Sequence, residues 1–203
     1  MSKIALVRHG ESEWNKLGIW TGWQDIPLSR NGILEAVKAG QVLKDISFHH
    51  LFTSDLIRAS ETLNIIKKEL KLEKVPAVKH GALKERNYGE FTGKNKWQIE
   101  KTVGKDRFKK IRRGWNHPIA GGETLKDVYN RVVPFFEQEI LPLVKNKKNI
   151  LISAHGNSIR ALIKYLEGIS DQAISEIELE TGEVVIYEFA QSGKVIKKER
   201  RKK

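Results

Sequence analysis

Apolar positions along this chain fall either in short solid runs or at helical spacing. Residues 4–7 (Ile-Ala-Leu-Val) form an unbroken apolar run that reads as a buried strand, and Arg8 and His9 follow it without a spacer. Ser29 can cap a helix predicted over residues 30–44, with Ile33, Ala36, Val37, Gly40 and Leu43 on one face. Residues 51–53 read as a second strand, with Ser54 and Asp55 as caps for a helix reaching Leu70. Thr124 opens a long amphipathic helix in which Leu125, Val128, Val132, Phe135, Phe136, Ile140 and Val144 keep helical spacing. Pro134 inside it predicts a kink. Residues 149–153 read as another buried strand, followed by a helix through Ile159, Leu162, Ile163 and Leu166, and 183–189 as a late strand.

Strands alternating with helices predict a three-layer α/β/α fold around a mainly parallel central sheet. Ligands in such sheets sit beyond the carboxyl ends of the strands. His9 and His155 both fall there, each at a strand end and each followed by glycine, Gly10 and Gly156. Two histidines so placed can face each other across one crevice. The glycines permit sharp turns, and the helix N-termini that follow offer unpaired N–H groups to an anion. Arg8 precedes His9, and Arg58 lies in the first turn of the helix after strand 51–53. Guanidinium forks match phosphate oxygens, so two histidines and two arginines describe a phosphoryl pocket with one imidazole as nucleophile. There is no Gly-rich Walker loop to indicate a nucleotide, and neither strand-end histidine has the spacing of a metal ligand.

The 203 residues suit one domain with a proper core. No stretch approaches the roughly 18 apolar residues of a membrane span, and the chain has no cysteine, so a cytoplasmic setting without membrane contact is expected. The net charge of +12 is uneven. Lys197 to Lys203 carries six positive charges and one negative, and residues 191–203 are expected to be a basic, flexible tail behind a catalytic domain of residues 1–190. A nucleic-acid partner is not expected, because no aromatic-basic recognition motif accompanies the charge.

The segments "RHGESEWN", "TGWQDIPLSRNG", "ERNYG", "GETLKD" and "AHGNS" occur in that order, and the chain carrying them resembles the cofactor-dependent phosphoglycerate mutases of the histidine phosphatase superfamily. The resemblance runs from Ile4 to about Phe189. It implies that His9 carries phosphate as phosphohistidine, that Arg8, Arg58 and His155 clamp the transferring group, and that Glu85 is the general acid/base. It further implies ligand contacts at Gly10, Ser12, Asn15, Thr21, Gly22, Arg86, Tyr88, Lys96, Gly156 and Asn157. Arg112 and Arg113 would hold the substrate's carboxylate and far phosphate; read without the resemblance, they are a solvated face of the basic helix "RFKKIRR". The implied reaction interconverts 3-phosphoglycerate and 2-phosphoglycerate in glycolysis and gluconeogenesis, with 2,3-bisphosphoglycerate as phosphorylating primer and no metal. The alternative is a phosphatase of the same superfamily acting on small phosphomonoesters. Monomer and homodimer are both open. One departure stands out: only "GWNHPIAG" separates Arg113 from Gly122, where family members of usual length carry a longer segment over the site.

Overall fold

The apolar runs at 4–7 and 149–153 are the two central strands of one sheet in the computed structural model, which describes residues 1–201. Its strands are β1 (Ser2–Arg8), β2 (His50–Thr53), β3 (Ala77–Lys79), β4 (Ile150–Ala154), β5 (Val184–Phe189) and β6 (Val195–Arg201), ordered in space β3-β2-β4-β1-β5-β6. The pairings β1–β4, β4–β2 and β2–β3 are parallel; β1–β5 and β5–β6 are antiparallel. The helices, in chain order, are α1 (Glu13–Lys16), α2 (Arg30–Gln41), α3 (Ile57–Glu69), α4 (Lys96–Val103), α5 (Lys105–Arg113), α6 (Leu125–Phe135), α7 (Leu141–Lys145) and α8 (Gly156–Glu167).

The strand period of two sorts the core onto two faces. Ile4, Leu6, Ile150, Ile152, Val185 and Tyr187 meet Val128, Val132 and Phe136 from the α6 region and Ile159 and Leu162 from α8. Ala5, Val7, Leu151, Val184 and Ile186 meet Ala39 and Leu43 from the α2 side and Leu63 and Ile66 from α3. Ile4, Leu6 and Val7 are fully buried, and each contributes roughly 1.5–3 kcal/mol by leaving water. A third cluster of Trp20, Tyr88, Phe108, Ile111 and Ile119 supports α5.

Several local expectations are corrected. Helix α2 stops at Gln41, and its buried face is Gly32, Glu35, Ala36, Ala39 and Gly40, while Ile33 is exposed. The cause is close approach: a Cβ on Gly32 would lie 2.0 Å from the Glu11 carbonyl oxygen, and one on Gly10 2.2 Å from the Gly32 oxygen. Small residues must therefore face the loop after β1. Neither Ser54 nor Asp55 is the cap residue of α3, whose N-cap is Leu56. Ser54 accepts from the Leu56 N–H and bonds to His155, while Asp25 receives the Ile57 N–H. Pro134, the expected kink in the helix opened by Thr124, lies inside α6, and two residues later the helix gives way to a π-helical turn, Phe136–Ile140, before α7. Proline's missing N–H and its ring strain the ladder at that point.

The expected flexible tail is also corrected over much of its length. Val195–Arg201 is β6, paired with β5 along Val184–Phe189; Lys202 and Lys203 lie outside the described residues. Its basic side chains are anchored: Arg201 holds Asp45 and Glu199, Arg200 pairs with Glu183, and Lys198 with Glu167. Cationic side chains suit an edge strand, because they discourage pairing with another chain. Removing residues 191–203 should expose β5 and lower the unfolding free energy by on the order of 2 kcal/mol or more, measured by denaturant titration. An unchanged midpoint would mean that the strand adds nothing to stability.

Candidate active site

Register brings the two histidines together. Arg8 pairs with Ala154 across the parallel β1–β4 ladder, and the His9 N–H donates to the Ala154 carbonyl at 2.9 Å. His9 and His155 therefore leave adjacent strands side by side, with ring centroids 4.9 Å apart, and both are buried. His9 Nδ1 lies 2.6 Å from the Gly10 carbonyl oxygen. A carbonyl only accepts, so Nδ1 carries the proton and Nε2 keeps its lone pair. Burial, then the charges of Arg58 and Arg8, hold the His9 pKa well below its usual value, so the ring is neutral at neutral pH. His155 is depressed likewise by burial, Arg58 and His9, and its Nε2 lies 2.7 Å from Ser54 Oγ.

The two arginines are fixed before any ligand arrives. Arg58, 1% exposed, donates to the carbonyls of Gln24 (2.9 Å) and Gly22 (2.8 Å), and burial lowers its pKa to about 10. Arg8 donates to the Leu179 carbonyl at 2.6 Å. Glu85 is the carboxylate among these cations. Its Oε1 accepts from the Arg86 N–H (2.7 Å), the Asn157 N–H (3.2 Å) and Asn157 Nδ2 (2.9 Å), and none of these bonds reaches Oε2. Arg131 steadies the Glu85 loop by donating to the Ala82, Lys84 and Glu85 carbonyls while pairing in a two-point fork with Glu123. This gives the glutamate of "GETLKD" a structural role.

One cavity of about 90 Å³ is lined by His9, Arg8, Arg58 and Glu85, while His155, fully buried beside His9, stands behind its wall. Asn15, Thr21, Gly22, Tyr88, Lys96, Gly156 and Asn157 line it, as do Arg112 and Arg113. The last two stand at the end of α5 and face this cavity, which the solvated-face reading did not predict. Arg113 also pairs with Glu178 and donates to the Ile177 carbonyl. Lys96, in the first turn of α4, has its pKa lowered to about 8 by burial and then by Arg112 and Arg8.

Three predicted contact residues lie behind the wall. Arg86 is fully buried and donates to the carbonyls of Glu123, Ile111 and His117, so its guanidinium binds the chain to itself. Ser12 caps α1 by accepting from the Asn15 N–H, and Gly10 is taken up by its contact with Gly32. Conversely, Trp20, Arg160 and Leu179 line the cavity without having been singled out. Arg160 had a signal: a charged residue set among the apolar positions of the α8 helix, between Ile159 and Ala161. Leu179 had none, since it serves through its carbonyl.

The short "GWNHPIAG" segment packs directly against the Glu85 loop. Glu90 donates to the Ala120 carbonyl (3.0 Å), Glu123 donates to that of Asn87 (2.9 Å), and a Cβ on Gly89 would lie 2.1 Å from the Ala120 oxygen. It is thus a brace rather than a cover. Among the described residues no group of three or more His, Asp or Glu could hold a metal ion, and no helix is long and apolar enough to cross a membrane.

The sequence profile of the histidine phosphatase superfamily (branch 1) matches residues 4–201. A 2,3-bisphosphoglycerate-dependent phosphoglycerate mutase of Bradyrhizobium diazoefficiens is 46% identical, over 91% of this chain and 90% of its own. One from Xanthobacter autotrophicus is 43% identical, over 96% and 95%. The match to a mutase of that name from Buchnera aphidicola, 41% identical over 96% of each chain, runs over 222 positions, more than the 203 residues here, so that relative has insertions this chain lacks. Among solved structures, a mycobacterial glucosyl-3-phosphoglycerate phosphatase complexed with VO3 superposes with a TM-score of 0.85 at 21% identity, over 98% of this chain and 97% of its own, a likeness of fold. From the matched profile and these relatives, the chain belongs to the histidine phosphatase superfamily, branch 1, and within it to the 2,3-bisphosphoglycerate-dependent phosphoglycerate mutases.

Proposed function

We propose that this protein interconverts 3-phosphoglycerate and 2-phosphoglycerate through a phosphohistidine at His9. The observation that carries the reading is a buried, neutral His9 with an available Nε2, beside a cavity that holds a second anion clamp in Lys96, Arg112 and Arg113. Water-mediated hydrolysis has less need of that clamp. The cavity also fits a polyanion: Arg8 Nε, Thr21 Oγ1 and Trp20 Nε1 are buried without a hydrogen-bond partner, a set of donors facing the need of a ligand.

In this reading 2,3-bisphosphoglycerate supplies the phosphoryl group that primes the enzyme. His9 Nε2 attacks phosphorus, and the ester oxygen leaves. Arg8, Arg58 and His155 brace the three equatorial oxygens as charge spreads over them, which stabilises the transition state without reorganisation. Glu85 uses Oε2 for the proton. It protonates the departing ester oxygen, then removes the proton of the acceptor hydroxyl when phosphate returns. Meanwhile Oε1 keeps its three N–H donors, so the carboxylate is held while it works. Lys96, Arg112 and Arg113 retain the acid's far end. The positive charge of the reaction comes from side chains, so no metal is required.

Three outcomes test this. Labelled 2,3-bisphosphoglycerate should give an acid-labile, alkali-stable phosphoprotein whose phosphorus NMR couplings assign it to Nε2, and His9→Ala should not label. Labelling of that variant, or a phosphate on Nδ1, would remove His9 Nε2 from its role.

Lys96 ties binding to pH. It carries its charge below its pKa of about 8 and loses it above. KM for 3-phosphoglycerate should therefore climb between roughly pH 7.5 and 9.5, as the anion loses a cationic partner. Lys96→Met should raise KM at neutral pH and flatten that climb. A wild-type KM constant across the range would exclude a binding role for the ammonium.

Replacing Arg112 and Arg113 together with alanine should free the far end of the substrate while leaving His9, Arg8 and Arg58 intact. Each lost charge-assisted contact costs on the order of 2–5 kcal/mol. Both absolute rates should fall, but the ratio of phosphatase to mutase activity should rise. An unchanged ratio contradicts the clamp, and wild-type protein that hydrolyses phosphoesters without isomerising 3-phosphoglycerate contradicts the mutase reading.

A further inference from the structure

Arg160 is 5% exposed and sits in the first half of α8, four residues from its start. Its guanidinium divides its donors. Nη2 reaches the carbonyls of Arg113 (3.0 Å) and Ile174 (2.6 Å), which fixes the plane of the group. Nη1 reaches Asn157 Oδ1 at 2.9 Å. That last bond has a consequence for chemistry. A carboxamide has one accepting end and one donating end, and a guanidinium can only donate. With Oδ1 taken by Arg160, Asn157 must turn Nδ2 the other way, where it meets Glu85 Oε1 and Tyr88 Oη, each at 2.9 Å.

We propose that Arg160 is a positioning residue for the reaction, locking the Asn157 carboxamide so that its N–H groups hold Glu85 Oε1 and leave Oε2 to the substrate hydroxyl. The inference rests on Glu85 being the acid/base. Were the carboxamide released, it could turn Oδ1 toward the carboxylate, replacing a donor by a repelling lone pair. The same guanidinium bonds the Arg113 carbonyl, so the acid/base and the end of the arginine helix share one rigid support. Arg8 from β1, Arg58 from α3, Lys96 from α4, and Arg86 and Tyr88 beside it in its own loop also act on Glu85, and all of them stay in place in the variants below; the charge of Arg160 acts on Glu85 directly as well, and Arg160→Lys keeps it.

The test compares Arg160→Met, Arg160→Lys, Asn157→Leu and the Met/Leu double variant. A misplaced acid/base costs up to about 100-fold, so Arg160→Met should lower kcat by roughly 10–100-fold with KM within about twofold. A carboxylate that loses an N–H donor, and with Arg160→Met a nearby positive charge as well, binds its proton more tightly, so the acidic limb of the kcat/KM profile should move up. Arg160→Lys, which keeps the charge and one donor for Oδ1, should restore most of that limb. Asn157→Leu should move the limb in the same direction, and the double variant should add little beyond Arg160→Met, as expected for residues acting in series. Carbon-13 NMR titration of the Glu85 carboxyl, assigned with Glu85→Gln, needs no turnover and should show the same displacement. It therefore tests Arg160 even if the mutase reading fails. A raised KM at unchanged kcat would make Arg160 a substrate contact and overturn the proposal. So would additive effects, or a loss of stability with the limb and the titration unmoved. If Arg160→Met does not fold, Arg160→Gln takes its place in the cycle, and additivity with Asn157→Leu overturns the proposal in the same way.

Discussion

The hydrogen bond from the His9 N–H to the Ala154 carbonyl closes the parallel β1–β4 ladder at the point where both strands leave the core. Everything at the site follows from that register. Shifting a strand by one residue would turn each side chain to the opposite face, burying Arg8 in the apolar layers and separating the imidazoles. The fully buried residues of β1 and β4 resist such a slip, because both faces of the sheet carry apolar layers that fit only one alternation. The core thus sets the chemistry by fixing which atoms stand at its edge.

A second constraint is electrostatic. Arg8, Arg58, Arg160 and Lys96 line one cavity with Glu85. Two like charges about 7 Å apart repel by about 2 kcal/mol at an effective dielectric near 20, so the cluster is costly by itself. Backbone carbonyls absorb part of that cost: those of Leu179, Gly22, Gln24, Arg113 and Ile174 all accept from arginine in this cluster. Burial first, and then Arg112 and Arg8 around Lys96 and Arg8 around Arg58, lower the pKa values of these two groups, and an anionic ligand is the natural relief. Local stability is given up where function needs charge. Burial and then the same field keep His9 unprotonated.

Rigidity around the carboxylate comes from loops rather than from regular structure. Glu123 and Arg131 clamp the carbonyls of the Glu85 loop, Arg86 ties that loop to α5, and the shortened segment before Gly122 lies against Gly89 with no room for a side chain between them. A loop of so few residues has little to cover with. It stiffens the wall instead.

The sequence by itself determined the alternation of strands and helices, the strand-end placement of His9 and His155, and the gathering of Arg8 and Arg58 near them, because solid apolar runs and helical spacing are local and strong signals. Through its ordered motifs it also indicated Glu85, Lys96 and the arginine pair. Tertiary structure alone decided the rest. The basic residues of 195–201 read as a solvated run, since their anchors Asp45, Glu167 and Glu183 are distant in sequence. Ile33 looked like core until the Gly10–Gly32 approach rotated α2. Arg86 and Arg160 are both buried arginines near Glu85, yet the first binds only the protein's own carbonyls and the second reaches Asn157 at the cavity wall. The helical pattern marks Arg160 as unusual but does not name its partners, because a side chain's partners depend on which groups the fold brings within about 3 Å.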